Sequence, residues 1–147
     1  MGGHGYAGGH FKSDILKNLK FNRRGISIVK TKSSYETNFI NFFENNNICW
    51  DYECEEIYIT CNNSKRKTIP DFFIYEKDEL KKVIEVKGYI SDIDFMIEKV
   101  FETNRYYENK NVPYYFYKMS DIHNIEDIES CCCYKKNKNE ISKIVKG

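Results

Sequence analysis

Apolar and polar residues change period several times along this chain, and each change marks an element. Tyr35, Phe39, Phe42 and Phe43 recur at helical spacing behind Ser33 and Ser34. Either serine can cap a helix that runs to about Asn45, where Asn45, Asn46 and Asn47 stop it. Residues 49–53, with Trp50 and Tyr52, read as a short strand or connector. Residues 56–61 alternate as a strand does, and 62–66 read as a polar turn. The next strand spans 68–75, with Pro70 tolerated near its start. Residues 77–81 then turn the chain into a strand over 82–87, which Gly88 ends. Asp92 can cap a long helix to about Asn109, with Ile93, Ile97, Val100, Phe101 and Asn104 on one stripe. Pro113 turns the chain into a last strand over 114–118.

The order is therefore helix, three strands, helix, strand. Short turns predict antiparallel pairing among the first three strands, and the long helix returns the last one parallel to its neighbour. This predicts an α/β (α+β) sandwich around a central mixed β-sheet flanked by helices. The expected division is a glycine-rich and basic extension over 1–32, a core over 33–122, and a polar tail over 123–147. Within the tail, residues 140–145 can form a short helix.

Length and composition fit one packed domain: 147 residues, 41% hydrophobic, too apolar for disorder. A net charge of +1 advertises no polyanion globally, yet residues 12–32 hold seven Lys or Arg against the single acid Asp14. The six cysteines lack the paired Cys-x-x-Cys spacing of a zinc site and no secretory signal precedes them, so reduced thiols in a cytoplasmic protein are expected. No apolar run approaches the ~20 residues of a membrane span.

The strand over 82–87 carries the most informative chemistry. Alternation sends Ile84 and Val86 to one face and Glu85 and Lys87 together to the other. Asp71, on the preceding strand, adds a second carboxylate. Mg²⁺ binds through oxygen, typically to one or two carboxylates, so Asp71 and Glu85 can hold it, with the Val86 carbonyl between Glu85 and Lys87 as a further donor. Mn²⁺ should substitute. Lys87 then stands where an ammonium can stabilise charge on a scissile phosphate. Glu36, one turn into the first helix, can complete the set if that helix crosses the sheet near Asp71.

Arg23, Arg24, Lys30 and Lys32 can track a phosphate backbone, and Arg105 can face a cleft at the end of the long helix. A solvated charged face explains the first four about equally well. The basic turn up to Lys67 can enter a groove, as can many polar hairpin tips. His4 and His10 flank a glycine-rich segment and could touch DNA or metal, though a floppy terminus explains them better; His123 reads as exposed, and Cys131, Cys132 and Cys133 suggest no mechanism.

Ser34-Tyr35-Glu36, Pro70-Asp71-Phe72 and Ile84-Glu85-Val86-Lys87-Gly88-Tyr89 together resemble the PD-(D/E)XK nuclease superfamily, over about residues 33–118. They are closest in style to small endonucleases borne by phages or mobile elements. The resemblance implies a restriction-endonuclease-like core in which Glu36, Asp71 and Glu85 ligate metal and Lys87 is the catalytic lysine. It implies a Mg²⁺-dependent DNA endonuclease with DNA as partner, and a homodimer is one way for such an enzyme to cut both strands. Two alternatives stay open: a nucleic-acid-binding or phage structural protein that keeps the fold without cutting, and a junction-resolving nuclease on the same scaffold.

Overall fold

Residues 13–118 and 122–147 are described by the computed structural model, so His4, His10 and the glycine-rich start lie outside the described residues. The elements are β1 (Asp14–Leu16), β2 (Val29–Thr31), α1 (Ser34–Asn45), β3 (Cys49–Tyr52), β4 (Ile57–Cys61), β5 (Ser64–Thr68), β6 (Phe72–Glu76), β7 (Glu79–Lys87), α2 (Ile93–Glu108), β8 (Tyr114–Lys118), α3 (Ile125–Glu129) and α4 (Lys138–Lys146). The central sheet has the order β3-β6-β7-β8. Strands β3, β6 and β7 are antiparallel, and β8 returns parallel to β7 after α2 as the element order predicts, but the strand expected over 56–61 lies outside this sheet and β3 takes its place. This is a mixed α/β fold. Among the described residues, no helix is long and apolar enough to cross a membrane.

The helix boundaries follow from their caps. Ser33 caps α1 and Asp92 caps α2, each accepting an amide of the first turn. The long helix packs its buried stripe, Ile97, Val100 and Tyr107, on one face of the sheet beside Val83, Tyr114 and Phe116. On the other face, Phe39, Ile40 and Phe43 of α1 pack on Phe72, Ile74, Ile84 and Val86. The sheet is therefore covered on both sides. Alternation along β7 holds as expected, but the face that carries Glu85 is the one covered by α2, a core and not a solvated surface.

Strand pairing differs from the sequence expectation at one place. The polar turn expected over 62–66 is only Asn62-Asn63, both with positive φ (49° and 63°), and Ser64–Thr68 continues as a strand. Positive φ at both central residues is what a tight two-residue hairpin requires. β4 and β5 form a separate two-stranded sheet, and the strand expected over 68–75 breaks at Ile69-Pro70-Asp71. The partner of β6 is instead β3, reached across this hairpin, with Trp50 opposite Ile74. The detour arises because Ile57, Ile59 and Cys61 bury their face with α2 residues in the first core and leave the central sheet to others.

The two ends of the described chain also join the fold. Asn22 is buried and bridges to Trp50, and β1 pairs with β2 in front of α1. Residues 123–147, expected as a polar tail with a short helix, carry α3 and α4, both opened by asparagine capping boxes. Ile128, Cys133, Ile141 and Val145 are buried. Two apolar residues four apart among lysines make a stripe too narrow to stand out by composition, yet sufficient to dock a short helix. Ile141→Ala should therefore cost about 2–4 kcal/mol, as expected for a filled core position, and a urea unfolding midpoint measures it.

Candidate metal centre

Glu36 occupies the third position of α1, where capping bonds converge. Its amide donates to the Ser33 hydroxyl at 3.3 Å, and its Oε1 accepts the Lys32 amide at 2.7 Å. The Tyr52 hydroxyl donates to the same oxygen at 2.6 Å. A carboxylate there also gains from the positive end of the helix dipole. These bonds hold Glu36 buried and turned toward the sheet.

Asp71 sits just before β6, at the point where pairing with β7 runs out after Phe72 opposite Ile84. Its Oδ2 accepts the Val86 amide at 2.9 Å, so a side chain prolongs the ladder. Its carbonyl accepts the Glu53 amide at 2.9 Å, and Glu53, at φ 45°, turns the chain out of β3 beside it. Carboxylate oxygens of Glu36, Glu53 and Asp71 consequently lie within 4.8 Å of one another.

Glu85 and Lys87 line the same hollow as these acids, an open depression of about 350 Å³. Glu85 is only 3% exposed, and its Oε1 accepts the Tyr114 hydroxyl at 2.5 Å. Lys87 is half-buried at the strand's end. Gly88 follows, and a Cβ there would stand 1.9 Å from the Tyr35 ring, so only glycine admits that ring next to Glu36. Lys32, Lys67 and Lys99 complete the rim.

Crowded carboxylates in a buried place resist ionisation. Burial, then the Glu85 charge, raise the Asp71 pKa from 3.8 to about 8, with Glu36 adding and the Val86 amide and Lys87 opposing. Burial, followed by the bond to Glu36, pushes the Tyr52 phenol well up, and burial with the Glu85 charge does the same for Tyr114. Both phenols therefore remain donors. Lys32 is held as the ammonium by its 2.8 Å bond to Glu53.

The donors suit a hard divalent cation. Glu36, Glu53 and Asp71 offer carboxylate oxygen, and none of the three is a His or Cys. Ligand oxygens around an octahedral Mg²⁺ stand roughly 3–4 Å apart, so the three need only draw in slightly. The buried acidic cluster can hold a metal ion.

Family models, curated proteins and solved structures offer no match to this chain. The site's meaning rests on its own geometry.

That geometry brings together Glu36, Asp71, Glu85 and Lys87. Val86 takes part through its amide, which positions Asp71, while its side chain lies in the second core. Of the five basic residues expected on nucleic acid, Lys32 alone lines the hollow. Arg24 clasps the buried Asp51, with Nε at 2.9 and 2.8 Å from its two oxygens. Arg23 stacks on the Tyr75 ring at 4.2 Å. Lys30 is exposed on β2, and Arg105 lines a separate hollow with Glu98 and Glu102. His123 gives its amide to Asp127 in the turn before α3, and all six cysteines are free thiols.

Glu53 is the residue that sequence reasoning missed. Its signal is a register: once β3 pairs with β6, Tyr52 stands opposite Phe72, and the next residues outward are Glu53 and Asp71.

Proposed function

We propose that this chain is a Mg²⁺-dependent DNA endonuclease of the PD-(D/E)XK kind, hydrolysing phosphodiester bonds. One observation carries the reading: a helical Glu36, a pre-strand Asp71 and a Glu85-x-Lys87 pair from β7 line one hollow. The central mixed sheet flanked by helices, with the antiparallel trio β3-β6-β7 followed by a helix and a parallel β8, supports it.

Glu36, Asp71 and Glu85 would hold the cation, as the resemblance implies, with Glu53 as a further carboxylate and the Val86 carbonyl, between Glu85 and Lys87, as a further donor. Bound there, Mg²⁺ supplies Lewis acidity and a more acidic water. Lys87 presents an ammonium to the scissile phosphate and stabilises charge as it develops. Tyr114 fixes the Glu85 rotamer, and Tyr52 with the Lys32 amide fixes that of Glu36. A protein that only binds nucleic acid on this scaffold has no use for Lys87 among buried acids that cost folding energy.

Incubation with supercoiled, linear, branched and single-stranded DNA in millimolar Mg²⁺, beside an EDTA control, tests the reading. Metal-dependent strand scission is expected, with Mn²⁺ substituting. Intact DNA in both metals, together with a melting temperature that neither metal shifts, overturns it. Preference for the branched substrate would select the junction-resolving variant of the same chemistry.

A further inference from the structure

The β4–β5 hairpin is a ribbon with two unlike faces. Cross-strand register pairs Tyr58 with Lys67, Ile59 with Arg66 and Thr60 with Lys65, and directly opposed residues share a face. Ile57, Ile59 and Cys61 face the first core, and on their side the Arg66 guanidinium lies 4.7 Å over the Phe95 ring of α2. The outward face is Tyr58, Thr60, Lys65 and Lys67, all exposed. It carries two ammonium groups, a hydroxyl and an aromatic ring, with the carboxylate of Glu56, just before β4, beside Lys67. Tyr58 is 53% exposed, with the Lys65 ammonium 5.1 Å from its ring centroid.

This ribbon runs into the acidic hollow. Lys67 and Thr68 line that hollow, as does Lys99 of α2, which also borders the contact between Arg66 and Phe95. Lys67 makes a 3.8 Å approach to Glu56, with both side chains about half exposed. Such a pair holds little energy and is readily exchanged for a phosphate.

We propose that the β4–β5 hairpin is a DNA-engaging arm whose outward face, Tyr58, Thr60, Lys65 and Lys67, seats in the major groove of duplex DNA and brings the adjoining backbone to the hollow through Lys67. The major groove of B-form DNA admits a two-stranded ribbon, whereas the deep, narrow major groove of A-form RNA does not. The inference rests on the phosphodiesterase reading of the hollow for its orientation, and its contact with DNA is tested independently of cutting.

Fluorescence anisotropy with a short labelled DNA duplex, in EDTA so that nothing is cut, measures binding by the full chain across a salt series. K65Q/K67Q should bind about 10-fold more weakly at low salt, with a log–log salt slope smaller by about 2. Both lysines are exposed, so the variant should keep the wild-type circular dichroism and the wild-type melting temperature in EDTA. Unchanged affinity and slope overturn the proposal, and so does a duplex RNA bound as tightly and with the same sensitivity to the two lysines. The two readings separate cleanly. If the wild type binds through these lysines yet never cuts with Mg²⁺ or Mn²⁺, the arm stands and the hydrolase reading falls. If the wild type cuts, and K65Q/K67Q binds and cuts identically, the arm falls and the hydrolase reading stands.

Discussion

Lys87→Ala should reduce the single-turnover rate of DNA cleavage by about 10²–10⁴-fold, the range for losing a positioned acid–base or charge-stabilising group. The expectation comes from placement. Lys87 shares the Glu85 face of β7, is half-buried, and is the rim lysine nearest in sequence to the buried acids. Its charge opposes the rise in the Asp71 pKa, so its ammonium already interacts with the cluster. The fold should survive, because strand pairing at Lys87 opposite Lys118 is a backbone matter. Metal-induced thermal stabilisation should persist as well, since no ligand is removed. Equal cutting by wild type and variant would move the chemistry elsewhere.

Asp71→Asn should have the opposite signature, a more stable protein that no longer responds to metal. With its pKa raised to about 8 in the metal-free fold, Asp71 keeps a proton that the unfolded chain releases near 4. Its contribution to stability is therefore fully present below about pH 4 and is lost as pH rises toward about 8. Asparagine removes that slope. Its side-chain carbonyl can still accept the Val86 amide, and its amide can donate where a carboxylate repelled Glu85 and Glu36. A gain of about 1–2 kcal/mol at pH 8 is expected, in the range of other relieved functional-site strains. In the wild type, the metal must displace the proton, so the Mn²⁺-induced rise in melting temperature should grow between about pH 6 and pH 8. Urea and thermal unfolding across that range, with EDTA or Mn²⁺, read both effects. A wild-type response independent of pH would show that Asp71 is ionised without metal.

Local chemistry announced the helices and the acid-bearing strand. Ser33 and Asp92 are cap residues placed ahead of periodic apolar runs, and both helices begin where those residues predict. Alternation alone put Glu85 and Lys87 on one face. It could not show that this face is a core, because the residues that cover it, Tyr114 and Phe116, come from β8, and Val100 and Tyr107 from α2. The pairing of β3 with β6 was equally hidden. A hairpin intervenes, and nothing in the local pattern says that a chain will skip its nearest strand for the next one. Glu53 was lost with that pairing, since only the register sets it beside Asp71. Charge is visible in a sequence, but the buried Asp51 that pairs with Arg24 is not.

The absent side chain at Gly88 has a consequence for tolerance. The Tyr35 ring fills the space where a methyl would otherwise stand, and Tyr35 immediately precedes Glu36 as Gly88 immediately follows Lys87. The strand that delivers the lysine and the helix that delivers the first acid are thus pinned together one residue beyond each functional group. The close approach of strand end and helix start depends on the absence of a side chain at position 88. A single added carbon at position 88 would have to displace the Tyr35 ring beside Glu36 while replacing none of the residues that line the hollow.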